Sequence, residues 1–295
     1  MSATCGADGG DASRGGAGDE RDTTRMRLEA PAAHGALHAS ARFLLLGSYD
    51  EALSMLENIL SAGGGELARP VLSLLTQVEA LPLRVVSRAC REAVAEHAWG
   101  EKQWDYVSRI MGSLASWRRC FPCATFASIT SRQHTSDADM VHLSGIHTLW
   151  MSGCLLVTDT GLKHLSGIHT LLMDGCELVK DAGLAHLSGI HTLYMNGCSL
   201  VTDAGLAHLR GIHMLYMSDC TLVTDAGLAH LNGIHTLGME GCKLVTDAGL
   251  AHLSGIHSLD MSFCKLVTDA GLAHQTGIRE LFAQGCHLLT AAGLA

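Results

Sequence analysis

The string Gly-Ile-His returns at Gly145, Gly167, Gly189, Gly211, Gly233 and Gly255, each 22 residues after the last, and Gly277-Ile278-Arg279 follows in step. Cysteine keeps the same interval, at Cys154, Cys176, Cys198, Cys220, Cys242, Cys264 and Cys286. A unit this short cannot bury both of its faces alone. Seven near-identical units must therefore stack and share one continuous core.

One unit shows what stacks. Ile146, Leu149 and Met151 have the spacing of a turn followed by a short strand with alternating inward side chains. Cys154 is a small group at the corner, and Leu156 and Val157 are expected to continue the core. Thr158-Asp159 offers an N-cap and an acidic first-turn residue. Leu162 and Leu165 give a short helix one inward stripe, Gly161 allows close approach to the layer beneath, and Gly167 turns the chain back. This is the pattern of a leucine-rich α/β solenoid: a horseshoe with a parallel sheet on its concave face and short helices on its convex face. At the leading end, Ser136-Asp137-Ala138-Asp139-Met140 imitates Thr-Asp-Ala-Gly-Leu, and Ala124–Ser128 reads as a degenerate first strand.

The copies differ mainly in two columns. Between the inward strand residues the series runs Trp150, Leu172, Tyr194, Tyr216, Gly238, Asp260, Phe282; two residues later it runs Ser152, Asp174, Asn196, Ser218, Glu240, Ser262, Gln284. Both columns point away from the core, whereas Ala185, Ala207, Ala229, Ala251 and Ala273 on the helix side are identical. Variation concentrated on one face, with large aromatics in rows, predicts a partner-binding surface, and Lys243 and Lys265 lie just beyond it on the rim column that begins at Leu155. The members of that surface are Trp150, Leu172, Asp174, Tyr194, Asn196, Tyr216, Asp219, Glu240, Asp260 and Phe282. The face carries acidic side chains and no Lys or Arg, so it suits a neutral or basic protein surface and repels phosphate.

Composition agrees. Twenty basic against 29 acidic residues give a formal charge of −9, which argues against a nucleic-acid binder. No apolar run approaches the ~18 residues of a membrane span, and residues 1–33, rich in Gly, Ala, Asp and Ser, read as a disordered tail without a signal peptide. Eleven cysteines without an export signal read as reduced thiols in a cytoplasmic or nuclear protein.

Ahead of the repeats the pattern is helical. Ser48-Tyr49-Asp50-Glu51 is a capping box that starts the second helix of a hairpin over 34–62. Pro70 opens a helix with Leu72 and Leu75, and Leu81-Pro82 opens another with Val86, Cys90 and Val94 on one stripe, followed by Trp99 and Trp104. The run Leu-Pro-Leu-Arg-Val-Val-Ser-Arg-Ala-Cys-Arg-Glu-Ala-Val, with its later Trp, resembles the second half of an F-box. The string Leu-x-Met-x-Gly-Cys-x-Leu-Val-Thr-Asp-Ala-Gly-Leu resembles the cysteine-containing leucine-rich repeats that commonly follow one. The chain is thus similar to F-box/leucine-rich-repeat proteins. The division would be an F-box-like helical module at 66–119, a linker and cap at 120–141, and seven repeats at 142–295. The resemblance implies a substrate receptor of a Skp–cullin–F-box ubiquitin ligase, with Pro70, Leu72, Leu75, Leu81, Pro82, Val86 and Trp99 facing a Skp-type adaptor. The alternative is a stand-alone scaffold whose N-terminal helices only cap the repeats.

No residues point to catalysis. Thirteen of the 18 histidines belong to two repeat columns, those of His142 and His147, and a row is not a converging metal site. Its neighbours would repel one another on acidification. Cys120-Phe121-Pro122-Cys123 matches a redox string, but a helix precedes it and a strand follows, so it reads as a structural corner. The Met151 column is core filling. No phosphate loop, dinucleotide fingerprint or nucleophile elbow is present. The expectation is a non-enzymatic binding protein without metal or cofactor.

Overall fold

The computed structural model describes residues 72, 73, 75, 80, 84, 88–100 and 113–293. The tail at 1–33, the hairpin at 34–62, and Pro70, Leu81, Pro82, Val86 and Trp104 lie outside the described residues.

Eight three-residue strands form one parallel sheet in chain order: β1 (Phe126–Ser128), β2 (Thr148–Trp150), β3 (Thr170–Leu172), β4 (Thr192–Tyr194), β5 (Met214–Tyr216), β6 (Thr236–Gly238), β7 (Ser258–Asp260) and β8 (Glu280–Phe282). Equivalent residues of successive copies pair, Leu149 with Leu171 and Leu171 with Leu193, so the register is the sequence repeat itself. The degenerate leading strand is real: Ala127 pairs with Leu149. From α3 (Asp137–Met140) onward the return path is an α-helical turn, continued in all but the last by a three-residue 3-10 turn such as Val141–Leu143: α4 (Asp159–Leu162), α5 (Asp181–Leu184), α6 (Asp203–Leu206), α7 (Asp225–Leu228), α8 (Asp247–Leu250) and α9 (Asp269–Leu272). The chain is an α/β solenoid of the leucine-rich-repeat type.

Three tight turns per copy decide which side chains face in. In the second copy the Ile168 amide bonds to Leu165 O at 3.0 Å, the Cys176 amide to Met173 O at 3.1 Å, and the Val179 amide to Cys176 O at 3.2 Å. Each closes an i to i+3 turn whose ends point inward and whose middle residues point outward. The first turn needs a left-handed residue at its third position, supplied by Gly167 at φ 82°. The third turn corrects one expectation. Val157 is fully buried, but Leu156 is half exposed, as are Leu178, Leu200, Leu222, Leu244, Leu266 and Leu288. These leucines occupy the outward middle of the turn that starts at each cysteine, so they cannot join the core.

Two ladders hold neighbouring copies in step. Each cysteine thiol donates to a main-chain carbonyl one copy back, Cys176 to Met151 O at 3.5 Å and Cys264 to Met239 O at 3.3 Å. On the helix side each aspartate after the N-cap accepts from the next copy. Asp225 Oδ1 takes the Thr246 amide at 2.8 Å and Asp225 Oδ2 takes the Thr246 hydroxyl at 2.6 Å. The series runs from Asp137 to Asp269, with Lys180 offering only its amide to Asp159. Sequence spacing assigned these aspartates to the helix dipole alone. Their second role explains the glycine two residues into each helix from α4 onward: a methyl group on Gly249 would overlap Asp225 Oδ1 and lie 3.0 Å from Leu228 Cδ1.

Helices α1 (Arg88–Glu96) and α2 (Leu114–Cys120) close the leading end. Trp99, Trp117 and Phe121 are fully buried and continuous with the solenoid core. The Trp99 indole donates to Val94 O at 2.9 Å, its ring meets Phe121 edge-on at 5.4 Å, and its carbonyl accepts from the amides of Thr125 and Phe126. Arg118 bonds the carbonyls of Pro122, Ala124 and Ser144, fastening α2 to the first copy.

Candidate protein-binding face

The outward side of the sheet is the face on which the copies differ. Its central feature is a pair of phenol rings. Tyr194 and Tyr216 occupy equivalent positions on β4 and β5, and the 22-residue register stacks them at 4.5 Å with planes 9° apart. Tyr216 extends over Gly238, where any side chain would collide with the ring. That glycine therefore interrupts the large-residue column to make room. Toward the leading end, Trp150 meets Phe126 edge-on at 5.1 Å, with half-buried Leu172 between Trp150 and the tyrosines. At the far end Phe282 is 53% exposed.

The polar residues of the face divide into two groups. Asp174 and Asn196 are half buried and partly used internally: Asp174 Oδ1 accepts the Asn196 amide at 2.8 Å, and Asn196 Oδ1 accepts the Ser218 amide at 2.7 Å. They brace the loops after β3 to β5, and the Ser152 hydroxyl approaches Asp174 Oδ2 at 3.5 Å. Asp260 Oδ1 likewise accepts the Ser262 amide at 3.0 Å. Asp219 is exposed and stands at φ 59°, in a turn position that is glycine in five of the seven copies. Glu240 is half buried, and its carbonyl accepts the Asp219 amide at 2.7 Å.

Burial pushes the Tyr194 phenol up to about 12, with Tyr216 and Asp174 adding to it. Tyr216 is raised by burial and then by Glu280 and Asp260. Both phenols stay protonated in a field set by carboxylates, and the Tyr194 hydroxyl donates to Met214 Sδ at 3.8 Å. Such a face favours cationic or neutral groups and aromatic stacking.

One residue escaped the sequence reading. Phe263 stands at φ 60° in the same glycine position as Asp219, 42% exposed, with its ring over Gly285. A bulky left-handed residue costs about 1–2 kcal/mol, a strain usually kept where a side chain is needed outside the core. The signal was the replacement of Gly by Phe ahead of Cys264.

Along the other margin of the face, just before each strand, His147, His169, His191, His213, His235 and His257 stack with ring centres 4.4–4.7 Å apart. Where threonine follows, as at His191, Nδ1 lies within hydrogen-bond reach of its hydroxyl, 3.0 Å away. Parallel rings do not converge on one point, and among the described residues no His, Cys, Asp or Glu cluster could hold a metal ion.

The adaptor residues are less accessible. Leu72 and Trp99 are buried in the core that runs into the repeats, and Leu75 is half buried against it. Cys120, the last residue of α2, is buried with its thiol accepting from the Arg84 guanidinium, and Cys123 is exposed in the link between α2 and β1; both are free thiols. That order is the reverse of the strand-then-helix setting of a redox pair. Among the described residues no helix is long and apolar enough to cross a membrane.

No protein-family model and no curated protein matches the chain. Among solved structures it is similar to the complex of Rad7 and Elc1 in yeast, at 11% identity and a TM-score of 0.34 over 89% of this chain and 96% of that one. It is also similar to the Toll–Spatzle complex of Drosophila, at 11% identity and a TM-score of 0.39 over 58% of this chain and 31% of that one. Neither likeness carries a functional argument, and the fold rests on the strands, turns and ladders described above.

Proposed function

We propose that this chain is a non-enzymatic recognition protein that grips a protein partner on the outward face of its sheet, and that residues 66–119 couple it to a Skp-type adaptor as the substrate receptor of a ubiquitin ligase. The observation that supports the first half is the stacked Tyr194–Tyr216 pair. Two large rings are held half exposed on the face where the copies diverge, flanked by Trp150 and by carboxylates. Stacked aromatics pre-ordered in this way lose little freedom on binding, and a neutral or basic partner surface complements the charge. The second half rests on the F-box resemblance of the Leu81–Trp99 sequence.

A specific observation favours the alternative for the N-terminal helices. Trp99, Trp117 and Phe121 form the lid of the solenoid core, as a capping element must. Gel filtration of the full chain with a purified Skp-type adaptor separates the readings. Co-elution supports the ligase receptor, and separate elution leaves a scaffold. For the face itself, Trp150→Ala with Tyr194→Ala and Tyr216→Ala should abolish capture of a partner held by the wild type while far-ultraviolet circular dichroism stays unchanged. Undiminished capture would place the site elsewhere.

A further inference from the structure

The leucines that turned out to face solvent form a structure of their own. Leu156, Leu178, Leu200, Leu222, Leu244, Leu266 and Leu288 are each 40–51% exposed and stand one copy apart. At the ~4.8 Å spacing of paired strands they make an apolar ridge about 30 Å long, on the loops that follow the C-terminal ends of the strands. Parallel bridges from Thr202 to Leu222, Thr224 to Leu244 and Thr246 to Leu266 hold its backbone in register. Neither the core nor the outward sheet face uses these side chains. A contiguous apolar strip of this extent on a soluble surface marks an interface.

The residue just before each leucine tells what the ridge fits. That column reads Leu155, Glu177, Ser199, Thr221, Lys243, Lys265, His287, exposed at all but the half-buried Thr221. Its single acid lies in the second copy and its two lysines in the fifth and sixth. Turned end for end about a twofold axis at Leu222, the same ridge brings Glu177 opposite Lys265 of a second copy, twice by symmetry. Ser199 then meets Lys243, and Leu155 meets His287. Lys180, the one cation beside the leucines outside this column, comes opposite Thr268, next to Asp269. The area suits a pair as well. Seven half-exposed leucines present about 600 Å² per copy, so mutual burial reaches about 1,200 Å², the lower bound of stable interfaces, before flanking residues are counted.

We infer that this leucine ridge is a self-association surface, on which two copies of the chain pair antiparallel about Leu222. An isologous contact needs one self-complementary patch, and a translational repeat with opposite charge at its two ends supplies it. The ridge is separate from the outward sheet face, so a dimer would carry two recognition faces and gain from partners with two sites.

Sedimentation equilibrium of the full-length chain tests this. The wild type should move reversibly between monomer and dimer with concentration. Leu222→Asp sets two carboxylates against each other on the axis and should leave a monomer; Leu222→Ser, checked by circular dichroism, should weaken the dimer without the charge. Glu177→Lys should raise the dimer Kd about tenfold at low salt, because two attractive pairs become repulsive, and Glu177→Lys with Lys265→Glu should restore it. A wild type that stays monomeric throughout would overturn the inference and leave the ridge to a different protein. A dimer that survives Leu222→Asp, or a double charge exchange that fails to restore pairing, would overturn it equally.

Discussion

The aspartate ladder on the helix side admits a quantitative test in one pair of substitutions. Asp225 accepts both the amide and the hydroxyl of Thr246, and Gly249 packs against the same carboxylate oxygen. Asp225→Ala removes two bonds to a charged acceptor, each worth about 1.5–3 kcal/mol, and leaves the Thr246 amide without its partner. Both residues are half exposed, so water recovers part of the loss and about 2–3 kcal/mol is expected. For a cooperative unit of this size that lowers the melting temperature by roughly 5–10 °C.

Gly249→Ala should also destabilise, by about 1–3 kcal/mol, because the methyl displaces Asp225 Oδ1 from its bond. The two effects share one cause. With Asp225 already alanine the methyl has only the end of the Leu228 side chain, 3.0 Å away, to displace, and the helix propensity of Ala over Gly, about 1 kcal/mol, offsets that. The double variant should therefore be more stable than the sum of the singles by more than about 1 kcal/mol, measured by urea unfolding followed by circular dichroism. Additivity within about 0.5 kcal/mol would refute the shared mechanism, and a cost for Asp225→Ala under about 0.5 kcal/mol would refute the ladder.

Two further expectations concern the side-chain columns. Burial raises the thiols of the cysteine column, Cys154 to about 11 and Cys198 and Cys242 to about 12, so among the nine cysteines from Cys120 to Cys286 exposed Cys123 should react alone with a disulfide reagent in the folded protein, and rapid labelling of Cys198 would contradict the packing. His169 and His235 are depressed, mainly by burial and then by neighbouring histidines, with Arg279 adding to His235. A basic group with a folded pKa below its unfolded one binds protons more readily when unfolded, so stability should be intact above about pH 6.5 and fall as the pH drops below it. A melting temperature that holds from pH 7.5 to pH 5 would remove the histidine row as a cause of acid sensitivity.

The 22-residue period carried most of the fold in plain view. It determined the parallel stack, the strand register, the inward places of Leu149, Met151, Cys154 and Leu162, and the degenerate copy around Phe126, because each inward column is a property of one unit repeated. It also marked the candidate binding face, since the strand columns of Trp150 and Ser152 vary from copy to copy; of the remaining columns the one that begins at Leu155 varies as widely. What it left open depends on contacts between residues 21 or 22 apart in sequence, one layer from the next. The ring overlap of Tyr194 and Tyr216 over Gly238, the hold of Asp225 on Thr246 and the internal use of Asp174 and Asn196 arise only once two layers meet. So does the sealing of Trp99 beneath the first strand. The leucine column is the sharpest case. Its composition resembles core, yet a turn of four residues sends it outward, and hydrophobicity alone does not report the direction in which a side chain leaves the backbone.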